Sequence, residues 1–179
     1  MKRVLLLVTL LSSTAAFAQA CPPLLDRTIT TLQGEKINLC QYAGKPILVV
    51  NTASKCGYTP QFEKLEEMYG KYKQDGLLVL GFPSNDFQQE FANNGEIAKF
   101  CKLTYKVKFP MSESSSVSGA NANLFFKELT KITGNAPDWN FHKYLIETDG
   151  KTVHSFATRI EPDSDEILNK ILRMLKDDK

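Results

Sequence analysis

A cysteine in a short polar loop is the first candidate for chemistry in this sequence. Cys56 lies between the apolar run of residues 46–50 and a helical pattern that begins near Thr59. Unpaired N–H groups and the positive end of a helix dipole favour a thiolate over a thiol, and Lys55 adds a neighbouring positive charge. Free cysteines are also often buried and inert, so this loop alone leaves both interpretations of Cys56 open.

Amide and indole groups later in the chain are candidate partners for a thiolate. Gln88 and Gln89 follow a second apolar run, and the pair Trp139-Asn140 precedes a third. Loops after the carboxyl ends of parallel strands converge at one edge of a sheet, so the glutamines and Cys56 are expected at the same edge. Taken singly, Gln89 is more simply a solvated loop residue and Trp139 a packed core residue.

The strands that would position these residues follow one another in a regular order. Extended runs at residues 28–32 and 36–39 flank a turn and predict a β-hairpin. Continuous apolar runs at 47–53 and 77–82 predict two buried strands. A helical pattern separates them, and strand, helix, strand predicts a right-handed βαβ unit with parallel strands.

Four helices are predicted from their capping residues and apolar spacing. The first has Thr59 as its N-cap and Pro60 as its first helical residue. The second is short and opens near Asn94, the third carries apolar residues between 124 and 132, and Asp163 caps the last.

The remaining extended segments complete the predicted fold. Residues 107–111 form a brief extended piece, while residues 141–146 and 152–156 flank an Asp-Gly turn and predict a second hairpin. The whole order predicts an α/β chain with a thioredoxin-like fold, in which a central mixed β-sheet is flanked by α-helices and preceded by an N-terminal β-hairpin.

The N-terminus has the pattern of a cleavable secretory signal. Lys2 and Arg3 precede an apolar stretch that is too short to span a bilayer, and residues 18–20 form a small-residue cleavage site. We therefore expect a signal peptide at residues 1–20, a mature domain at 21–179, no stable membrane insertion and export, most simply to a bacterial periplasm. Cys21 directly after the site leaves a lipoprotein as the less favoured alternative.

Charge and composition exclude several other classes of function. Removing Lys2 and Arg3 from the 22 basic residues leaves 20, which equals the 20 acidic residues. A neutral mature protein without a dense basic run does not indicate nucleic-acid binding. His142 and His154 are not spaced with the cysteines as a zinc site requires, and no cofactor is expected.

Three separated blocks, at residues 55–59, 80–90 and 139–141, resemble the glutathione peroxidase family in order and spacing. The resemblance covers roughly residues 24–177. It implies a thiol peroxidase that reduces hydrogen peroxide and organic hydroperoxides and leaves a sulfenic acid on a cysteine. It places the catalytic tetrad on four residues of this chain, with cysteine in place of selenocysteine: Cys56, Gln89, Trp139 and Asn140.

The chain departs from the family pattern after the second core strand. The family usually reads Phe-Pro-Cys-Asn-Gln-Phe-Gly-x-Gln-Glu-Pro, whereas residues 82–91 read Phe-Pro-Ser-Asn-Asp-Phe-Gln-Gln-Glu-Phe. One residue is missing, the glycine is absent, and Phe91 replaces the proline. Aligning on Glu90 selects Gln89 as the amide donor, whereas aligning on Phe87 leaves Gln88 as an alternative.

Cys101 resembles the resolving cysteine of the two-cysteine members that use thioredoxin. A disulfide with Cys56 needs Cα atoms within about 7 Å, so we expect the helix around residues 96–103 to unwind during turnover. The alternative is a buried structural cysteine. Between residues 110 and 139 the chain lacks the long insertion of tetrameric, glutathione-using members. This favours a monomer and a thioredoxin-like dithiol protein over glutathione as the reductant.

Cys21 and Cys40 lie outside the family pattern, near the ends of the N-terminal hairpin. Export permits a disulfide between them, and two free thiols or lipidation of Cys21 are the alternatives. For the whole chain, the alternative to a peroxidase is a sensor or relay that passes the oxidation of Cys56 to a partner protein. A thiol-disulfide isomerase is less favoured because no C-x-x-C pair exists.

Overall fold

A computed structural model of the chain describes residues 20–177, so the predicted signal peptide at residues 1–20 lies almost wholly outside the described residues. The described part opens with an antiparallel hairpin of β1 (Thr28–Thr30) and β2 (Lys36–Asn38). The predicted N-terminal hairpin is therefore confirmed. None of the helices in this part of the chain is both long enough and apolar enough to cross a membrane.

A four-stranded mixed sheet forms the centre of the molecule. Its strands are β3 (Ile47–Thr52), β4 (Leu78–Pro83), β5 (Lys143–Ile146) and β6 (Val153–Phe156), in the spatial order β4-β3-β5-β6. β3 and β4 are parallel, whereas β5 pairs antiparallel with both β3 and β6. Every residue of β3 and β4 is buried, as expected for parallel strands covered on both faces.

Four α-helices cover the two faces of the sheet. They are α1 (Gln61–Tyr72), α2 (Asn94–Thr104), α3 (Leu124–Thr133) and α4 (Asp165–Asp177). Apolar residues of α1, α2 and α4 pack with Leu48 and Leu145, whereas α3 packs with Val49 and Tyr144 from the opposite face. Strand residues alternate between the two cores because successive side chains point to opposite faces. This is the predicted thioredoxin-like architecture.

The extended piece predicted at residues 107–111 does not form a strand. It pairs with the edge strand β4 only through an isolated β-bridge. Gly81 N–H donates to Pro110 O (2.9 Å), and Ser112 N–H donates to Gly81 O (2.8 Å). A Cβ at Gly81 would overlap the sulfur of Met111, so this close approach requires glycine. The segment after α2 is thereby fixed against the edge of the sheet.

Two predicted helix caps are wrong. α1 begins at Gln61 with Pro60 in the cap position and no capping side chain, because the Thr59 hydroxyl is used inside the preceding loop. α4 begins at Asp165, and Asp163, which was predicted to cap it, instead pairs with Lys64 of α1 (2.9 Å).

Candidate active site

The loop that carries Cys56 is closed by hydrogen bonds from Thr59. The Thr59 hydroxyl accepts from the Cys56 N–H (3.0 Å) and donates to the Ala53 carbonyl (2.9 Å). Thr59 N–H donates to the Cys56 carbonyl (3.0 Å), and Tyr58 N–H points at the Cys56 sulfur (3.4 Å). The thiol is therefore held in a tight turn ahead of α1, and a loop amide supplies its N–H donor.

Gln89 and Asn140 meet at this loop, as predicted from the tetrad pattern. Asn140 Nδ2 donates to Gln89 Oε1 (3.0 Å), and Lys55 N–H donates to the Gln89 carbonyl (2.9 Å). Gln89 is thus tied to the residue before Cys56. Its Oε1 is occupied by Asn140, and its Nε2 has no partner among the described residues, so this amide remains free to donate. Gln88 is exposed and has a left-handed backbone (φ 58°).

Asn140 is fixed by residues that the sequence analysis did not single out. The Thr158 hydroxyl donates to the Asn140 carbonyl (2.8 Å). Asn51, at the end of β3, donates through Nδ2 to Trp139 O (3.1 Å) and accepts at Oδ1 from His142 N–H (2.9 Å). A carboxamide within an apolar strand was the one sequence signal for Asn51, while Thr158 carried none.

The backbone turns sharply directly after Asn140. Phe141 has φ 63° and a fully buried side chain, a combination that a bulky residue adopts only when its surroundings impose it. Its N–H donates to Asn51 O (2.7 Å), and its ring packs edge-on against Phe62 of α1 (5.3 Å). This strained turn directly follows Asn140 and is held to β3 and α1 by these contacts.

Trp139 lies at the surface of the site and is not a packed core residue. Its side chain is 40% exposed, and its ring lies 5.4 Å from that of Phe87. A shallow depression of about 210 Å³ beside it is lined also by Tyr58, Thr158 and Arg159. The indole N–H has no partner among the described residues, so it is free to donate to an incoming group.

Glu90 is a buried carboxylate that links the two sides of the site. Its Oε1 accepts from Ser54 N–H (3.2 Å) and from Phe91 N–H (2.8 Å). Burial raises the pKa of Glu90, and the hydrogen bonds from Ser54 and Phe91 oppose that rise. The sequence analysis used Glu90 only to align the loop, whereas the structure makes it the anchor that holds Phe91 against the Cys56 loop.

Cys101 is a buried free thiol on α2, and Cys56 is free as well. Burial raises the pKa of the Cys101 thiol to about 12, and the nearby Glu90 carboxylate adds to the effect. A cavity of about 510 Å³ beside α2 is lined by Cys101 together with Lys102, Lys106 and Met111. In this state Cys101 is protonated and therefore a poor nucleophile, although it borders an opening to the surface.

Cys21 and Cys40 form a disulfide, with their Cα atoms 5.3 Å apart and a sequence separation of 19. The expected pairing is confirmed. The bond uses the same sulfur of Cys21 that the lipoprotein alternative would require. It joins the start of the described chain to the end of the N-terminal hairpin, and Cys21 packs against the core on the α3 side of the sheet, whereas both free thiols belong to the core on the other side.

The arrangement combines a buried thiol, whose sulfur receives the Tyr58 N–H, with polar side chains grouped beside its loop. A thiolate at Cys56 would receive the Tyr58 N–H, and Gln89, Trp139 and Asn140 supply further polar groups at the same loop. Donors fixed in advance stabilise charge that develops on a leaving oxygen. This chemistry suits nucleophilic attack by sulfur on a polar O–O bond.

Comparisons with known proteins point in the same direction. The glutathione peroxidase family model matches residues 24–130. A glutathione peroxidase of Lactococcus lactis subsp. cremoris is 42% identical over 153 residues, which cover 82% of this chain and 98% of that protein. Glutathione peroxidase-like peroxiredoxin 2 of Saccharomyces cerevisiae is 40% identical over 138 residues, covering 74% and 85%. The solved structure of T. cruzi GPX1 has a TM-score of 0.65 and 30% identity, covering 86% of this chain and 96% of that one.

Proposed function

This chain belongs to the glutathione peroxidase family, and from that premise we propose a two-cysteine peroxidase cycle on Cys56 and Cys101. The activity is that of a cysteine-dependent thiol peroxidase. The Cys56 thiolate attacks the terminal oxygen of a hydroperoxide, an S–O bond forms and the O–O bond breaks. The products are water or an alcohol, which takes up one proton, and a sulfenic acid at Cys56.

The hydrogen bond between Asn140 and Gln89 is the observation that supports the choice of hydrogen-bond donors. Because Asn140 occupies Gln89 Oε1, the Gln89 amide has its N–H groups left to donate, and Trp139 adds a free indole N–H beside the depression. We assign these groups to polarising the peroxide and to stabilising the thiolate. Asn140 orients Gln89 and is itself oriented by Thr158 and by the turn at Phe141.

The second half of the cycle uses Cys101. Its thiol attacks the sulfenic sulfur, an S–S bond forms, the S–O bond breaks, and the Cys101 proton leaves with the hydroxide as water. Of the residues of α2, only Ile97 and Cys101 are buried, so the local unwinding that brings Cys101 to Cys56 exposes few fully buried side chains. A dithiol reductant of the thioredoxin type then reduces the disulfide.

The experiment that tests this cycle is a stopped-flow comparison of hydrogen peroxide and an organic hydroperoxide, with thioredoxin or glutathione as reductant. We expect Cys56→Ser to abolish peroxide reduction. Cys101→Ser should retain one fast oxidation of Cys56 and lose turnover with thioredoxin. Full thioredoxin-driven turnover by Cys101→Ser would refute the resolving role.

A relay function is the second candidate, and the burial of Cys101 favours it. A resolving thiol that is 3% exposed, with a pKa raised to about 12, leaves the sulfenic acid time to react with a partner protein. Stoichiometric oxidation of a bound partner together with poor turnover would favour the relay. Fast turnover with a thioredoxin-like donor would favour the peroxidase.

We also propose export of the mature domain to the periplasm as a monomer. The signal pattern of residues 1–20 and the disulfide between Cys21 and Cys40 support export, since such bonds persist in oxidising compartments. The short stretch between Pro110 and Trp139 supports a monomer. N-terminal sequencing of protein recovered from the periplasmic fraction should begin at Cys21, and light scattering should give the mass of one chain.

A further inference from the structure

Phe91 stands between the two segments that carry the free thiols. Its backbone is bound to the Cys56 side, because Glu90 Oε1 accepts from both the Phe91 N–H (2.8 Å) and the Ser54 N–H (3.2 Å). Its ring is held there too, since the Lys55 ammonium lies over it at 4.1 Å from the centroid. Phe91 is therefore held against the Cys56 loop without a recorded contact to Cys56 itself.

The same ring contacts α2 next to Cys101. The Phe91 and Phe100 rings lie 5.7 Å apart, and Phe100 lies 5.7 Å from Tyr105 at the C-terminal cap of α2. Tyr105 in turn packs on Phe62 of α1 (5.4 Å). An aromatic series thus fastens the C-terminal half of α2, including the residue before Cys101, to the Cys56 loop.

This contact holds the C-terminal half of α2, a helix with few buried side chains. Ile97 and Cys101 are the only buried residues of the helix, and Cys101 must itself leave its site to reach Cys56. An aromatic pair with a cation over one ring gains more than its buried area alone would give. Opening α2 therefore requires the Phe91–Phe100 contact to break.

We propose that Phe91 is a positioning residue that holds α2 closed and thereby slows the attack of Cys101 on the Cys56 sulfenic acid. The proposal rests on the proposed two-cysteine cycle. The proline that the family usually carries at this position has neither an N–H for Glu90 nor an aromatic ring for Lys55 and Phe100. The slow resolution is thus a property of this chain, set by the residue that departs from the pattern.

A closed α2 has a chemical consequence for Cys56. While Cys101 is withheld, the sulfenic acid survives longer, and a second peroxide can oxidise it to the sulfinic acid, with water or alcohol as the reduced product. The same delay gives a partner thiol time to react. Phe91 therefore affects how much of the sulfenic acid reacts with Cys101, how much is oxidised to the sulfinic acid and how much reacts with a partner thiol.

The test separates the two steps of the cycle in rapid-mixing experiments on the full mature chain. The rate of Cys56 oxidation by hydrogen peroxide is followed by trapping the sulfenic acid with dimedone. The rate of disulfide formation is followed by thiol blocking and mass spectrometry. Phe91→Ala and Phe91→Leu should leave the first rate unchanged and speed disulfide formation about tenfold, since each loses both ring contacts. Phe100→Leu should act in the same direction, and Phe91→Tyr should keep the slow rate.

Tyr72→Ala is the matched control. Tyr72 is a half-buried aromatic residue of α1 packed against the same core, with the Lys71 ammonium 5.0 Å from its ring. It should change neither rate. Unchanged or slower disulfide formation in both Phe91→Leu and Phe100→Leu, with Cys101 still required for turnover, would overturn this role of Phe91 alone. Full turnover of Cys101→Ser with thioredoxin would instead overturn the cycle and this role with it.

Discussion

At the scale of single residues, the backbone places two adjacent glutamines in different surroundings. Gln88 adopts a left-handed conformation and is exposed to solvent, whereas the next residue, Gln89, turns its amide to Asn140. The loop is one residue shorter than the family pattern, and its left-handed turn at Gln88 directly precedes Gln89.

This geometry predicts opposite outcomes for the two glutamines. Gln89→Ala should slow the reaction of Cys56 with hydrogen peroxide on the order of a hundredfold, because one pre-positioned donor is lost. Gln88→Ala is the matched control and should react at the wild-type rate. The measurement is the second-order rate constant of Cys56 oxidation, and equal losses in the two variants would contradict the assignment of Gln89.

At the scale of elements, the β5–β6 hairpin and its approach carry buried ionisable groups beside the site. His142 precedes β5 and is buried, its Nε2 contacts Ser155 Oγ in β6 (2.8 Å), and its Nδ1 has no hydrogen bond among the described residues. Burial lowers the pKa of His142 to about 4. The adjacent Lys143 adds to this effect, and Asp138 opposes it. The hairpin is therefore built around a neutral imidazole.

We predict that the buried His142 makes the stability of the folded protein sensitive to acid. Below pH 6.5 the unfolded chain binds a proton at His142 that the folded chain accepts only near pH 4, so stability falls as the pH drops through this window. The effect is at most about 3 kcal/mol. Urea unfolding between pH 7 and pH 4 should show a shallower loss for His142→Gln than for the wild type. His154→Gln changes the other histidine and should keep the wild-type loss; an equal change in both variants would contradict the prediction.

At the scale of the whole molecule, the disulfide joins the start of the described chain to the body of the domain. Residues between Cys21 and Cys40 include Leu24 and Leu25, which are buried in the core that α3 covers. The Arg27 side chain pairs with Glu128 of α3. The N-terminal segment is thus part of the folded domain, and the disulfide limits its freedom when the chain unfolds.

Removing this bond should destabilise the protein without affecting the chemistry. Replacing both Cys21 and Cys40 by serine should lower the free energy of unfolding by about 3 kcal/mol on the chain-entropy model. Peroxide reduction by Cys56 should keep its wild-type rate. Guanidinium unfolding gives the loss, and the double variant should become insensitive to dithiothreitol. A loss of peroxide reduction in a folded double variant would contradict the separation of the disulfide from the active site.

The sequence by itself determined the sheet, the order of helices and strands, and the identity of the chemical groups. Continuous apolar runs predict central strands because both of their faces are covered, and helical spacing places α1 and α3 correctly. Residue type identified four cysteines, and the export signal favoured a disulfide between Cys21 and Cys40. These properties depend on periodicity and on residue type, which are local.

Only the tertiary structure decided how the site is held. Thr59 has the residue type of a helix cap, yet its hydroxyl closes the Cys56 loop, because Ala53 and Cys56 supply partners that no local rule contains. Asn51 and Glu90 act through hydrogen bonds to residues 91 and 36 positions away in sequence. Thr158 acts through a hydrogen bond to a residue 18 positions away. Phe91 gains its role only when folding brings both Lys55 and Phe100 against one ring. Such contacts are set by how the chain packs, and packing is a property of the whole fold.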